Sequence, residues 1–464
     1  MPRRLPFDYL DKACLAGTYA PWASFAPTWR LSVKGQLPEP ALRRAAGWLA
    51  ERYPVVASRA VGLDGTVDSA RRLAWELDER PDVGRLVKVL DLRQVPAEAR
   101  AAAEQGLLDR FIDLGADYPL SLTWVRHADA EGTLFVQQHH ALADGRAFLA
   151  LCRDLVALLD AAVRDADPPP PAGPFARRPE LDVVPEHGLS RAASFAVGAA
   201  VSLLGLLRDA LRPMQPLRCN LGADYTGQNR TEHLVLPANR LERWRDGRKR
   251  LGLSSNDVLA AALATALARW SLRHGTAPGR TRLLMPVDLR PRDGTFESFA
   301  NHLGSVQLVC DLARPSKLVE LAAALARQSA RQLARRLPFK RLLFEVAAAR
   351  LMRVASMRRL VFETRNLFAC YSFSNLIPLG VPGAGPDGRW RGQGFEVDGL
   401  RVTTPCTPPQ GANTTVVRYG AEVCFNFNYK DSVLDPALVA DLVASFQEAL
   451  AEADAAFAGQ NVKA

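Results

Sequence analysis

Stretches with apolar residues every three or four positions alternate along the chain with short runs rich in β-branched and aromatic residues. The clearest of the first kind is GRAFLALCRDLVALLDAAV (145–163), which sets Phe148, Leu151, Cys152, Leu155, Leu158 and Leu159 on one side of a helix. ALRRAAGWLAERY (41–53), LSSNDVLAAALATALARWSLRHG (253–275) and PALVADLVASFQEALAEADAAF (436–457) have the same spacing. Ser254 or Ser255 suits the N-cap of the third, and Asp257 places a negative charge in its first turn. The strand-like runs are RLVKVLDL (85–92), SLTWVRHA (121–128), TLFVQQ (133–138), TEHLVLP (231–237), SVQLVCDL (305–312), LFACYSFSNL (367–376) and TTVVRYGAEVCFNFNY (414–429). TRLLMPVDLR (281–290) also reads as a strand, but Pro286 predicts an edge or a bend there.

Strands alternate with helices on both sides of a proline-rich connector, VRDADPPPPAGPFARRPELDVVPEH (163–187). Four consecutive prolines exclude a regular helix or a central strand. A chain of 464 residues exceeds the size at which one core stops growing. The pattern therefore predicts an α/β or α+β protein of two related halves: an N-terminal subdomain over 1–165, a linker over 166–187 and a C-terminal subdomain over 188–464.

Composition narrows the setting. A hydrophobic fraction of 48% and a charged fraction of 23% describe an ordinary globular protein. Seven scattered cysteines, none spaced C-x-x-C, argue against a disulfide framework or a zinc site and for a reducing compartment. MPRRLPFDYL lacks the apolar core of a signal peptide, so a cytoplasmic location is expected. The apolar stretch AASFAVGAAVSLLGLL (192–207) is shorter than the ~20 residues that span a bilayer. Its default reading is a buried linker helix; the flanking Arg191, Arg208 and Arg212 leave peripheral membrane contact open. The net charge of +10 comes with no RNA-binding motif, zinc finger or basic zipper, so no nucleic-acid partner is expected. Basic residues concentrate in 327–366, where helical spacing predicts an amphipathic helix pair with a solvated arginine face. That face would also attract an acidic partner such as CoA phosphates, an acyl carrier protein or anionic lipid.

The candidate chemistry lies in QHHALADG (138–145), between the end of a strand and the start of a helix. A chance H-H-x-x-x-D-G in this composition is expected in roughly one sequence of a few thousand. A histidine titrating near neutrality suits removal of a proton from an alcohol or amine as it attacks an acyl group. There is no G-x-S-x-G, and Cys152 falls on the apolar face of its helix, so direct attack without an acyl-enzyme is the simpler route. Consecutive residues at a strand end point to opposite sides, so one histidine is expected to be catalytic and the other structural. Asp144 either orients the imidazole, as in a serine-protease triad, or anchors the loop to an arginine from elsewhere. Gly145 would supply conformational freedom in the turn.

His139, His140, Asp144 and Gly145 match in full the HHxxxDG signature of the CoA-dependent acyltransferase superfamily, which this chain resembles. That superfamily is built on the chloramphenicol acetyltransferase fold. It includes peptide-synthetase condensation domains, polyketide-associated acyltransferases and the wax ester synthase/diacylglycerol acyltransferases. LPFDYLDKACL (5–15), SSNDVLAAALATAL (254–267), MPVDLRPR (285–292), NHLGS (301–305), SFSNLIPLG (372–380) and YGAEVCFNFNYKDSVLDP (419–436) are similar to further segments of these proteins. The resemblance implies two acetyltransferase-like subdomains forming a V with a central tunnel. It implies His140 as general base, His139 as its support and a structural salt bridge from Asp144 to Arg290. It places Ser374 and Asn375 as candidate polar contacts near the oxyanion. The expected activity is that of a stand-alone acyltransferase, carrying an acyl group from acyl-CoA or an acyl-carrier phosphopantetheine to an alcohol. No cofactor or metal is expected. An enzyme forming an amide or ester from carrier-bound substrates is the alternative, and a non-catalytic carrier-binding module a third.

Overall fold

The computed structural model describes residues 3–7, 11, 14, 25–63, 73–171, 191–212, 214, 226–290, 299–313, 316–338, 341, 371–406 and 410–457. The chain divides into two compact units, each a mixed α/β structure built on a six-stranded sheet. The division corrects the expected domain limits. The first unit holds Met1–His187 together with Leu289–His302 and Pro378–Pro405, two segments that the linear reading assigns to the C-terminal subdomain. Local hydrophobic patterning marks elements; it carries no information on which sheet they join.

In the first unit, β1 (Arg4–Pro6), β3 (Ser58–Val61) and β4 (Ala74–Leu77) form a small antiparallel sheet. The main sheet runs β12-β13-β2-β7-β6-β5. Its strands are β2 (Thr28–Gly35), β5 (Val87–Asp91), β6 (Leu120–Ala128), β7 (Glu131–Gln138), β12 (Arg391–Gly392) and β13 (Phe395–Thr403). Only β5 and β6 pair in parallel, and they are joined through helix α2 (Ala97–Leu108), as a parallel pair requires a crossover. β7 is bonded to β2 on one side and β6 on the other, so its last residue leaves from the middle of the sheet.

Helix α1 (Glu39–Arg52) packs on α3 (Gly145–Val163), burying Leu42, Ala45, Ala46 and Leu49 at the spacing of one helical face. α3 begins and ends at the residues its sequence predicts. A buried polar cluster ties the two helices together. Asp154 accepts from Arg52 Nη1 (3.1 Å), Tyr53 Oη (3.0 Å) and Arg153 Nε (2.8 Å).

The second unit has sheet order β10-β9-β11-β14-β15-β8. Its strands are β8 (Asn229–Pro237), β9 (Arg280–Asp288), β10 (Leu303–Asp311), β11 (Tyr371–Asn375), β14 (Ala412–Tyr419) and β15 (Glu422–Lys430). Helix α4 (Arg191–Leu211) precedes the sheet in the chain. Helix α5 (Ser255–Arg273) packs against α6 (Leu318–Ala334) and α7 (Pro436–Phe457). Ser254 is the N-cap of α5 and shares a capping box with Asp257. The core centres on α5, which buries Val258, Leu263, Leu267 and Trp270, together with Phe425, Phe427 and Phe446 from β15 and α7.

Pro286 does not interrupt β9. It pairs opposite Ser305 of β10, while the pairing of β9 with β11 stops at Leu284. The proline therefore falls where no neighbour on the β11 side calls for its missing N–H. Of the arginine-rich 327–366 stretch, the described part is the C-terminal half of α6 and the residues just after it; 342–370 lie outside the described residues, as do 172–190 of the connector.

The edge strand β10 is covered from α6. Gln328 donates Nε2–H to the Val309 carbonyl at 2.9 Å and its Oε1 accepts the Val309 N–H at 2.9 Å. Gln332 repeats the pattern on Gln307, at 2.7 and 3.1 Å. Two side-chain amides thus stand in for a missing strand and hide an edge open to foreign pairing. Gln328→Leu/Gln332→Leu strips partners from four backbone groups, at about 1–3 kcal/mol for each group that water does not reach. The expected result is a lower urea midpoint and association that grows with protein concentration, read by denaturation and light scattering.

Candidate active site

The site is built where β7 ends. The His139 N–H donates to the Pro119 carbonyl (2.8 Å) and the His140 N–H to that of Phe25 (2.7 Å), which fixes both backbones. Gln138 donates from Nε2 to the Ala143 carbonyl (3.1 Å), closing the loop on itself. The two rings have different surroundings. His139 is buried at 1% exposure, and its Nδ1 accepts the Ala141 N–H at 3.1 Å, so its own proton sits on Nε2. Burial, aided by the neighbouring His140, pushes the His139 pKa down to about 3, and the ring stays neutral.

The His140 ring is partly exposed and packs beside Phe25, with ring centroids 5.2 Å apart. Burial lowers its pKa from 6.5, while a hydrogen bond to its own backbone, the Asp144 charge and Asn301 oppose the shift. Within one residue, Nδ1 is the ring nitrogen that can reach the residue's own carbonyl. The Cys14 sulfur lies 3.7 Å from the same Nδ1.

Asp144 is fully buried and makes three kinds of contact. Its Oδ1 accepts the Ala147 N–H (3.0 Å) as the N-cap of α3. Its Oδ2 accepts the His302 N–H (2.8 Å) and pairs with Arg290 Nη1 at 2.8 Å, with both side chains at most 2% exposed. Burial by itself would raise the Asp144 pKa, but the Arg290 guanidinium and the two backbone N–H groups hold it below the usual carboxylate range. Arg290 also donates from Nη2 to the Ala300 carbonyl at 3.0 Å. Of the two roles the loop alone leaves open, this geometry is the anchoring one.

Gly145 differs from expectation. It is already the first residue of α3 and has no positive φ, so the turn does not depend on left-handed freedom at this position. Ser374 and Asn375 end β11 in the second unit. Asn375 Oδ1 accepts the Ile377 N–H (3.0 Å) and its Nδ2 donates to Asn256, a strand-ending turn.

Sequence reasoning missed two contributors. Asn301 donates from Nδ2 to both the His140 carbonyl (2.9 Å) and Asp11 Oδ1 (3.1 Å), bridging the loop to the N-terminal segment. The NHLGS match flags its segment but assigns it no role. Cys14 carries no sequence signal of its own; only folding brings it to His140. Cys152 is buried, and burial raises its thiol pKa, as expected of a core residue. A cavity of about 270 Å³ lies against the first turns of α3, lined among others by Arg146, Ala147, Arg153, Arg290, Phe299 and Leu379. Three arginines contribute to its lining, of which Arg153 is paired with Asp154 and Arg290 with Asp144.

No family model matches the chain. The Streptomyces viridochromogenes phosphinothricin tripeptide synthetase PhsC is 27% identical over 336 residues, 64% of this chain. The chain spans only 29% of that synthetase's length. Among solved structures, the first condensation domain of the calcium-dependent antibiotic synthetase aligns over 98% of this chain and 96% of its own, with TM-score 0.70 and 15% identity. Polyketide synthase associated protein 5 from Mycobacterium tuberculosis aligns over 97% and 98%, with TM-score 0.65 and 17% identity. The fold is that of the CoA-dependent acyltransferases. Within it, HHxxxDG gives this chain a loop held by a buried ion pair, with one histidine in the core and one partly exposed.

Removing Arg290 leaves the Asp144 carboxylate buried without its cation. Arg290→Met is expected to cost about 3–5 kcal/mol of stability by denaturant titration. Asp144→Asn/Arg290→Met retains the cap and should recover most of that loss, since the uncompensated charge is gone.

Proposed function

We propose that this protein is an acyltransferase in which His140 activates an alcohol for attack on an acyl thioester. The observation that carries the reading is His140 itself: a partly exposed residue just past the end of β7 whose pKa is lowered by burial, so that its ring is neutral at physiological pH. In the proposed tautomer Nδ1 carries the proton toward the residue's own backbone and Nε2 is the acceptor. Nε2 takes the hydroxyl proton as the oxygen bonds to the thioester carbonyl carbon. The tetrahedral oxyanion then collapses, the C–S bond breaks, and the imidazolium returns the proton to the leaving thiolate. The products are an ester and a free thiol, and no acyl-enzyme forms. His139 and the Asp144–Arg290 pair position the base. The oxyanion contacts assigned to Ser374 and Asn375 belong to the same proposal. The proposed donor is a phosphate-bearing thioester, either acyl-CoA or an acyl carrier's phosphopantetheine, and the arginine-lined cavity beside α3 is the place proposed for it.

A second reading is favoured by the similarity to a tripeptide synthetase and a condensation domain: an amine acceptor and carrier-bound partners, giving an amide. Thiol release with matched acyl-CoA and acyl-carrier donors, each offered alcohol and amine acceptors, separates the two.

His140→Ala should lower turnover by about 10²–10⁴ while leaving the melting temperature near that of the wild type. A wild-type rate in that variant overturns the mechanism. A base whose pKa is depressed remains deprotonated further into acid, so activity should be flat through neutrality and fall only below the ordinary histidine value of 6.5. An inflection above that value in the rate profile would place the base elsewhere.

A further inference from the structure

Helix α4 differs from the core helices in where most of its large apolar residues lie. α3 buries Phe148, Leu151, Leu155 and Leu158, and α5 buries Leu259, Leu263 and Leu267, leaving Leu272 exposed near its end. In α4, Leu203, Leu204, Leu207 and Leu211 are 58%, 67%, 59% and 76% exposed. Ala196, Val197 and Ala200 are exposed beside them. At about 100° per residue these seven positions share an arc of about 120°, one continuous face. Among the described residues 196–208 of the helix, the less exposed ones are Gly198, Ala199, Val201, Ser202 and Gly205. The sequence has no charge between 192 and 207, and the exposed Arg208 and Arg212 stand at the C-terminal border of the apolar face. The buried linker helix expected from sequence is therefore not what forms; the leucines meet solvent.

Two features select the occupant. The face is a straight convex ridge of a few hundred Å², less than the ~800 Å² per partner of a stable protein interface. Its arginine border, on a chain of net charge +10, complements a negative surface and would repel the same border of a second copy. No single helix among the described residues is long and apolar enough to cross a membrane, so the helix would lie in the interface plane. We propose that α4 docks this protein on an anionic lipid surface, with Leu203, Leu204, Leu207 and Leu211 below the headgroups and Arg208 and Arg212 among them. The inference does not depend on which acyl donor or acceptor the enzyme uses.

Flotation of the full chain with lipid vesicles tests it. The wild type should bind vesicles of equimolar phosphatidylcholine and phosphatidylglycerol, and bind pure phosphatidylcholine more weakly. Leu204→Gln/Leu207→Gln should lower the partition coefficient about tenfold per leucine, with an unchanged thermal melt because both side chains are already exposed. Arg208→Gln/Arg212→Gln should lower binding to the anionic vesicles alone, by about fivefold per charge. Four results overturn the proposal: no vesicle binding by the wild type, wild-type binding by the leucine variant, equal binding to both lipids, or lipid-free dimers that the leucine variant dissolves. The last would assign the face to a second copy.

Discussion

The buried Asp144–Arg290 pair is the constraint on which the site depends. One carboxylate caps α3, accepts the His302 N–H and neutralises a guanidinium from a segment 146 residues further along the chain. The pair has almost no access to water, so neither charge can leave without stranding the other. It therefore couples the histidine loop, the start of α3 and the 289–302 segment into one arrangement. Asn301, in the same segment, reaches the His140 carbonyl. The histidine loop is thus held by a segment far from it in sequence, because that segment delivers the counter-ion.

The division of labour between the histidines follows from a difference in environment. Both rings are lowered in pKa by loss of water, but their partners differ. His139 spends its Nδ1 lone pair on the chain two residues ahead and has become part of the scaffold. His140 is partly exposed and bonded to its own backbone, and in the proposed mechanism it offers the opposite nitrogen for chemistry. The same two imidazoles, one residue apart, are made different by the alternation of a strand end.

Much of the architecture was legible in the sequence because it is set by local periodicity. Helices α3 and α7 begin and end where the apolar spacing predicts, and the α5 capping box follows from Ser254 and Asp257. Pro286 predicts an edge or a bend, and it does fall where β9 has no partner on the β11 side, although the strand itself runs on; which neighbour is missing is a tertiary property. Gly145 was expected to lend the turn its conformational freedom, but as the first residue of α3 it has no left-handed φ. The stretch 192–207 was expected to be buried because apolar residues usually are. Only the packing shows that Leu203, Leu204 and Leu207 lie on the exposed side.

What the sequence by itself determined is the set of elements and the identity of the reactive groups: a strand, a histidine pair, and a capped helix, each encoded by residues within a few positions of one another. What only the tertiary structure decided is how these groups are wired. The pairing of Asp144 with Arg290 is recorded in the sequence only as a resemblance to other proteins; the approach of Cys14 and Asn301 to His140, the return of 289–302 and 378–405 to the first unit, and the outward face of α4 are not recorded at all. The physical reason is range. Periodicity and capping act over one or two turns of chain, whereas charge neutralisation and burial act through space, between residues that the chain keeps far apart until it folds.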